Sequence, residues 1–113
     1  MSNDLEARAW VEIDLDALRD NYRAVRAAAG PEVAVIAMVK ADAYGLGAER
    51  VVRTLEPLDP WGYGVATADE GAALRDIGVR RPIVIFGPLP PGAVGTAARA
   101  ELTATISDLA SLE

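Results

Sequence analysis

The chain carries a single lysine, Lys40, and the other ten basic residues are all arginines. A guanidinium stays protonated at working pH, whereas a lysine amine can lose its proton and attack a carbonyl carbon. The sequence contains neither histidine nor cysteine. This composition excludes Ser-His-Asp triads, histidine general bases, cysteine nucleophiles, disulfides and thiolate metal sites. Any chemistry must therefore use carboxylates, hydroxyls, arginine or Lys40.

The neighbourhood of Lys40 indicates a site. The run Val33–Val39 is apolar and rich in β-branched residues, which predicts a strand buried on both faces. Lys40 follows at its carboxyl end, the edge of a parallel sheet where functional groups gather, and the loop 41–47 then leads into a helix whose start could bind phosphate. Tyr44 could donate its hydroxyl to that phosphate. The alternatives are a solvated lysine at a strand end and a tyrosine packed with its polar end outward.

Other motifs are better explained by structure than by chemistry. Gly62-Tyr63-Gly64 lies within a predicted strand and lacks the third glycine of a dinucleotide-binding loop. Thr67-Ala68-Asp69-Glu70 has the S/T-x-x-E form of a capping box, so its carboxylates are interpreted as helix-start charges.

Composition also argues against several classes of partner. The net charge is −6 and the basic residues are dispersed, which argues against nucleic-acid binding. The longest apolar run falls far short of the ~20 residues that span a bilayer. The segment Met1–Arg8 has no apolar core, so no signal peptide is visible and a cytoplasmic location is expected.

Strands and helices are predicted to alternate along the chain. A short strand over 9–13 precedes a helix that is capped by Asp14 and ended by Gly30-Pro31. Further strands centre near residues 36, 64, 84 and 104. The helices between them are predicted over 48–56, 67–77 and 93–100, with another starting at Ser107, and the inward residues of the first helix are Leu15, Leu18, Tyr22, Val25 and Ala29.

This alternation predicts an α/β fold with a parallel sheet and a single domain over 1–113. Residues 1–31 would form an initial strand and helix, and residues 32–113 about four strand-helix units, the last one incomplete. Two architectures fit, a doubly wound sheet or the first part of a (β/α)8 TIM-type barrel. A complete barrel needs ~250 residues, so the barrel alternative implies a part of something larger.

Several segments together resemble the alanine racemase family. Met38–Gly47 is similar to the signature that surrounds the cofactor lysine of that family. Trp10–Leu18 with Asn21 resembles its opening segment, and Gly64–Ala66 with Asp69–Arg75 and Pro82–Gly87 resemble its second and third barrel units. The resemblance covers nearly the whole chain, with Leu46 as a departure where the family usually has histidine.

The resemblance implies a group-III pyridoxal-phosphate barrel. Lys40 would bind pyridoxal 5′-phosphate covalently and would remove or return the α-proton on one face of alanine. Tyr44 would hydrogen-bond the cofactor phosphate, and Phe86 would place an apolar side chain beside the cofactor. The implied activity is interconversion of L- and D-alanine for cell-wall precursors, by a homodimer.

The resemblance further implies that the chain corresponds to roughly the first third of such an enzyme, because a whole barrel is much longer. A tyrosine acting on the opposite face and an arginine at the pyridine nitrogen would lie elsewhere, so the isolated chain is expected to be inactive or nearly so. Three alternatives remain: a related amino-acid racemase, a non-catalytic pyridoxal-phosphate-binding barrel protein, and an inactive truncated product. The segment Glu12–Leu18 favours a racemase over the non-catalytic protein.

Overall fold

The computed structural model describes residues 8–112. Of the segment Met1–Arg8, in which no signal peptide was visible, only Arg8 is among the described residues. Glu113 also lies outside them. Among the described residues no helix combines the length and the apolar character needed to cross a membrane. The elements are α1 (Leu15–Ala29), β1 (Ile36–Met38), α2 (Lys40–Tyr44), α3 (Ala48–Leu55), β2 (Gly62–Val65), α4 (Ala68–Asp76), β3 (Ile83–Ile85), α5 (Val94–Arg99) and α6 (Leu109–Leu112), with 3-10 turns at Glu56–Leu58 and Pro91–Ala93.

The three strands form one parallel sheet in the order β1-β2-β3. Met38 is in register with Gly64, and Gly64 with Val84. Sequential strand order with helices between the strands agrees with the predicted α/β fold and with the start of a barrel. A doubly wound sheet would reverse its strand order at a switch point.

One face of this sheet is covered by helices and the other is partly open. Tyr63, Val65, Ile83 and Ile85 are almost completely buried, in one cluster with residues of α3, α4 and α5. On the opposite face Met38 and Val84 are only partly buried and Ile36 is exposed. The prediction that Val33–Val39 is buried on both faces is therefore wrong, because the helices pack against only one side of the sheet.

Two predicted strands do not form as expected. Residues 9–13 pair with no strand among the described residues, and Trp10 and Val11 are exposed. The predicted strand 102–106 contributes a single parallel bridge, between Thr103 and Val84. Beyond this bridge the hydroxyl of Thr105, not a backbone amide, donates to the carbonyl of Ile85 at 2.6 Å, so the ladder ends there.

The helix boundaries follow the predicted signals closely. The side chain of Asp14 accepts from the Ala17 amide and begins α1, and Gly30, at a φ of +92°, ends it. Tyr22 is buried, but Val25 is exposed, so the apolar face of α1 is covered along only part of its length. The last helix begins one residue later than expected, because Asp108 and not Ser107 accepts the Ser111 amide.

Candidate active site at the carboxyl edge of the sheet

Lys40 lies where the sequence predicted it, at the carboxyl end of β1. The amide of the preceding residue, Val39, donates to the carbonyl of Gly64 at 2.8 Å, which extends the pairing with β2 up to the lysine. Val39 itself is buried, whereas Lys40 is partly exposed. The backbone is therefore fixed to the sheet while the amine can reach a ligand at the edge.

The segment after Lys40, expected to be a loop, begins with a left-handed helical turn. Ala41, Asp42, Ala43 and Tyr44 have φ values of 52°, 54°, 55° and 57°. This conformation costs an L-residue roughly 1–2 kcal/mol. Four such residues in succession persist only where the surroundings hold them, and strain of this kind clusters at functional sites.

Two carboxylates hold this turn. Oδ1 of Asp42 accepts the amide of Ala48 at 2.8 Å, which ties the turn to the first residue of α3. Oε2 of Glu70, from α4, accepts the amide of Ala41 at 2.6 Å. Hydrogen bonds to ionised acceptors are about twice as strong as neutral ones, so the first two residues of the turn are firmly anchored, one to α4 and the other to α3.

The turn brings the lysine and the tyrosine together. Nζ of Lys40 lies 5.9 Å from the centre of the Tyr44 ring. This distance is within the range at which an ammonium is attracted to an aromatic face. Tyr44 is 63% exposed, so its hydroxyl is accessible to a ligand that reaches the lysine.

Phe86 follows β3 at the same edge and is half exposed. Its amide donates to the carbonyl of Val65 at 2.8 Å, which fixes it beside the end of β2. A Cβ atom placed on Gly64 would lie 2.8 Å from Cε2 of Phe86 and would also meet the sulfur of Met38. Gly64 is therefore needed for the packing of these two side chains, and it lies within β2, as the sequence predicted.

These residues fit a small aromatic aldehyde that carries a phosphate. The amine of Lys40 is the group that an aldehyde requires, and the hydroxyl of Tyr44 is a donor suited to a phosphate oxygen. The exposed part of Phe86 offers an apolar contact for a ring. Pyridoxal phosphate has all three features, so Lys40, Tyr44 and Phe86 are the residues that could hold it.

The sequence did not reveal the second contact of Glu70. The capping box was predicted and is confirmed, since Oγ1 of Thr67 accepts the Glu70 amide at 3.1 Å and Oε1 of Glu70 accepts the Thr67 amide. The bond to Ala41 crosses 29 residues of chain and has no local signal. Asp69 is exposed, as expected of a helix-start charge.

Comparison with known proteins identifies the family. Residues 13–113 match the model of the alanine racemase N-terminal domain. Alanine racemase 1 of Caldanaerobacter subterraneus subsp. tengcongensis is 39% identical over 88% of the chain and 26% of its own length. An amino-acid racemase of Enterococcus faecalis is 38% identical over 89% of the chain and 14% of its own length.

The fold comparison agrees. The solved alanine racemase of Clostridium difficile superimposes with a TM-score of 0.87 at 32% identity, over 95% of the chain and 29% of that structure. The chain thus spans about a quarter of the length of the alanine racemases it matches. The match of the N-terminal domain model over nearly the whole chain, together with the shared fold, shows that the chain belongs to the alanine racemase family.

Proposed function

We propose that the chain is the cofactor-lysine segment of a pyridoxal-phosphate-dependent enzyme that interconverts L- and D-alanine. The observation that carries this proposal is the only lysine, held at the carboxyl edge of the sheet directly before a left-handed turn that presents Tyr44 beside it. The names of the relatives support alanine as the substrate. The proposed role is the supply of D-alanine for cell-wall precursors in the cytoplasm, by a homodimer.

Each residue of the site has a proposed task. Nζ of Lys40 would hold the cofactor aldehyde covalently in the absence of substrate. Once the amine of the substrate had replaced it on the cofactor, the freed lysine amine would accept or return the α-proton on its own face of the substrate. The hydroxyl of Tyr44 donates to the phosphate, and Phe86 shields the ring from water. When bound, pyridoxal phosphate withdraws electrons from the α-carbon of an attached amino acid, which makes its α-proton removable.

Inversion requires a proton to be delivered to the face opposite Lys40. Tyr44 lies beside the lysine, so it does not provide that opposite-face group. We place the second acid-base group outside this segment, in keeping with the quarter of the relatives' length that the chain spans.

We expect the 113-residue chain, loaded with pyridoxal phosphate in deuterated water, to exchange the α-proton of L-alanine slowly and to form little D-alanine. The missing acid-base group is typically worth ~10²–10⁴ in rate. Proton NMR measures the exchange and chiral chromatography measures D-alanine. Free pyridoxal phosphate and the Lys40→Arg variant are the controls.

Two results would contradict this expectation. Rapid formation of D-alanine by the chain alone would show that the segment already holds both acid-base groups. Exchange no faster than that of free pyridoxal phosphate would favour the non-catalytic binding protein. A panel of other L-amino acids tests the broader racemase, which the similarity to the Enterococcus faecalis amino-acid racemase favours as the second candidate.

We expect Tyr44→Phe to weaken the binding of pyridoxal phosphate about tenfold or more, because a hydrogen bond to a charged group is worth roughly 1.5–3 kcal/mol. The exposed ring has room for this change, so the fold is retained. Absorbance titration measures the affinity, with pyridoxal, which lacks the phosphate, as the matched ligand. Equal losses for the two ligands would show that Tyr44 acts through packing.

A further inference from the structure

Glu70 lies where two strand-helix units meet. Its Oε1 accepts the amides of Ala66 and Thr67, at 2.7 Å and 3.2 Å, and so completes the capping box of α4. Its Oε2 accepts the amide of Ala41, at 2.6 Å. Ala41 directly follows Lys40 and is the first residue with a positive φ in the left-handed turn. The carboxylate of Glu70 therefore joins the strand-helix unit of β2 and α4 to the backbone that carries the lysine.

The two oxygens of this carboxylate have separate tasks. Capping requires only the oxygen that faces the start of α4, since glutamine, which has a single side-chain oxygen, also serves at this position of capping boxes. The other oxygen contacts the turn. A short bond from an amide to an ionised acceptor is among the strong hydrogen bonds of proteins, and here it holds a backbone conformation that L-residues rarely adopt.

We propose that Glu70 is a positioning residue, whose contact with the Ala41 amide holds the left-handed turn so that Lys40 and Tyr44 face the same ligand. This inference rests on the proposed function, in which Lys40 is the amine that binds pyridoxal phosphate. Glu70 touches the backbone beside the lysine and acts through it.

Three variants separate positioning from capping. Glu70→Ala removes both oxygens, and Glu70→Gln leaves one oxygen for three amides. Thr67→Ala is the matched control, because it breaks the same capping box, at the bond from the Glu70 amide to the Thr67 hydroxyl, and leaves Oε2 on Ala41. If the alanine variant of Glu70 does not fold, the glutamine variant, which keeps the length of the side chain, takes its place.

We expect both Glu70 variants to bind pyridoxal phosphate at least about tenfold more weakly, the change that ~1.4 kcal/mol produces. Thr67→Ala should lose stability and yet bind as the unaltered chain does. Absorbance titration gives the affinity, and urea unfolding gives the stability of each variant. A purely structural role would lower affinity in all three variants in proportion to their loss of stability, and would overturn the proposal.

Hydrogen exchange provides a readout that needs no cofactor. In the Glu70 variants the Ala41 amide should lose protection, while the Ala48 amide, which donates to Asp42, should keep it. Unchanged protection of Ala41 would overturn the role of Glu70 even if the unaltered chain binds the cofactor. If the unaltered chain does not bind pyridoxal phosphate, the proposed function fails, and the exchange of Ala41 still decides whether Glu70 holds the turn.

Discussion

Pyridoxal phosphate fixed with borohydride is expected to label Lys40, and Lys40→Arg is expected to abolish that label. The amine attacks the aldehyde carbon, water leaves and a C=N bond forms. Borohydride then adds hydride to that carbon while the nitrogen takes a proton from solvent, which leaves a stable secondary amine. A guanidinium cannot replace the amine, so no label can form at position 40 in the variant. Peptide mapping by mass spectrometry locates the label.

The composition of the chain makes this experiment clean. Lys40 is the only lysine, so the terminal amine of Met1 is the one competing primary amine of the polypeptide. The double variant Lys40→Arg/Arg80→Lys restores one lysine at an exposed position, away from the edge of the sheet. At low cofactor concentration we expect it to remain unlabelled at position 80. Labelling only at Met1 in the unaltered chain, or equal labelling of positions 40 and 80, would contradict the assignment.

The place of Lys40 could be predicted because local patterns determine it. The apolar run Val33–Val39 indicates a parallel strand, and a charged residue directly after such a run falls at the carboxyl edge. The caps of α1 and α4 could also be predicted from the sequence, because they depend on neighbouring residues. Asp14, Thr67 and Glu70 each bond to an amide within three residues of themselves. Short-range chemistry fixes these features.

The left-handed turn could not be predicted, because the residue types in it do not indicate it. Alanine and tyrosine have no preference for positive φ, and of the four residues only Asp42 belongs to a type that tolerates it. Of the two carboxylates that contact the turn, Asp42 is local, but Glu70 lies 29 residues from Ala41, and a contact of that range has no local signal. The position of Lys40 along the sheet is thus determined by local sequence. The direction of its side chain depends on tertiary contacts.

The segment 9–13, for which the described part of the chain offers no partner strand, has a related explanation. Alternation of apolar and polar residues describes the two sides of a strand and carries no information about whether a neighbouring strand is present. Trp10 and Val11 satisfy the pattern and remain exposed. The segment 102–106 pairs slightly more than the segment 9–13, because Thr103 forms one parallel bridge with Val84.

The largest effect on stability is expected at Arg75, a helix residue whose guanidinium contacts four backbone carbonyls. It donates to Val79 at 3.0 Å, Arg81 at 2.8 Å, Ala100 at 2.9 Å and Glu101 at 3.1 Å. The first two carbonyls lie in the connection from α4 to β3, and the other two lie just before the Thr103 bridge. One side chain therefore fixes the chain on both sides of β3, the strand that directly precedes Phe86.

We expect Arg75→Met to lower the free energy of unfolding by about 3 kcal/mol, because it leaves several partly buried carbonyls without their charged donor and each such loss costs roughly 1–3 kcal/mol. This is a large share of the roughly 5–15 kcal/mol that stabilises a typical domain. Urea unfolding followed by circular dichroism measures the loss. Arg80→Met is the matched control, since Arg80 is exposed, and its effect should stay within about 0.5 kcal/mol.

The Arg75→Met variant also tests whether the lysine turn depends on the position of β3. If Arg75 sets the position of β3, hydrogen exchange at Ile85, whose amide donates to Thr103 at 2.8 Å, should accelerate in Arg75→Met before global unfolding. The Ala41 amide, held by Glu70, should keep its protection at the same urea concentration. Simultaneous loss at both amides would mean that the lysine turn and the third strand open as one unit. Equal stability of the two arginine variants would show that the four carbonyl contacts of Arg75 contribute little.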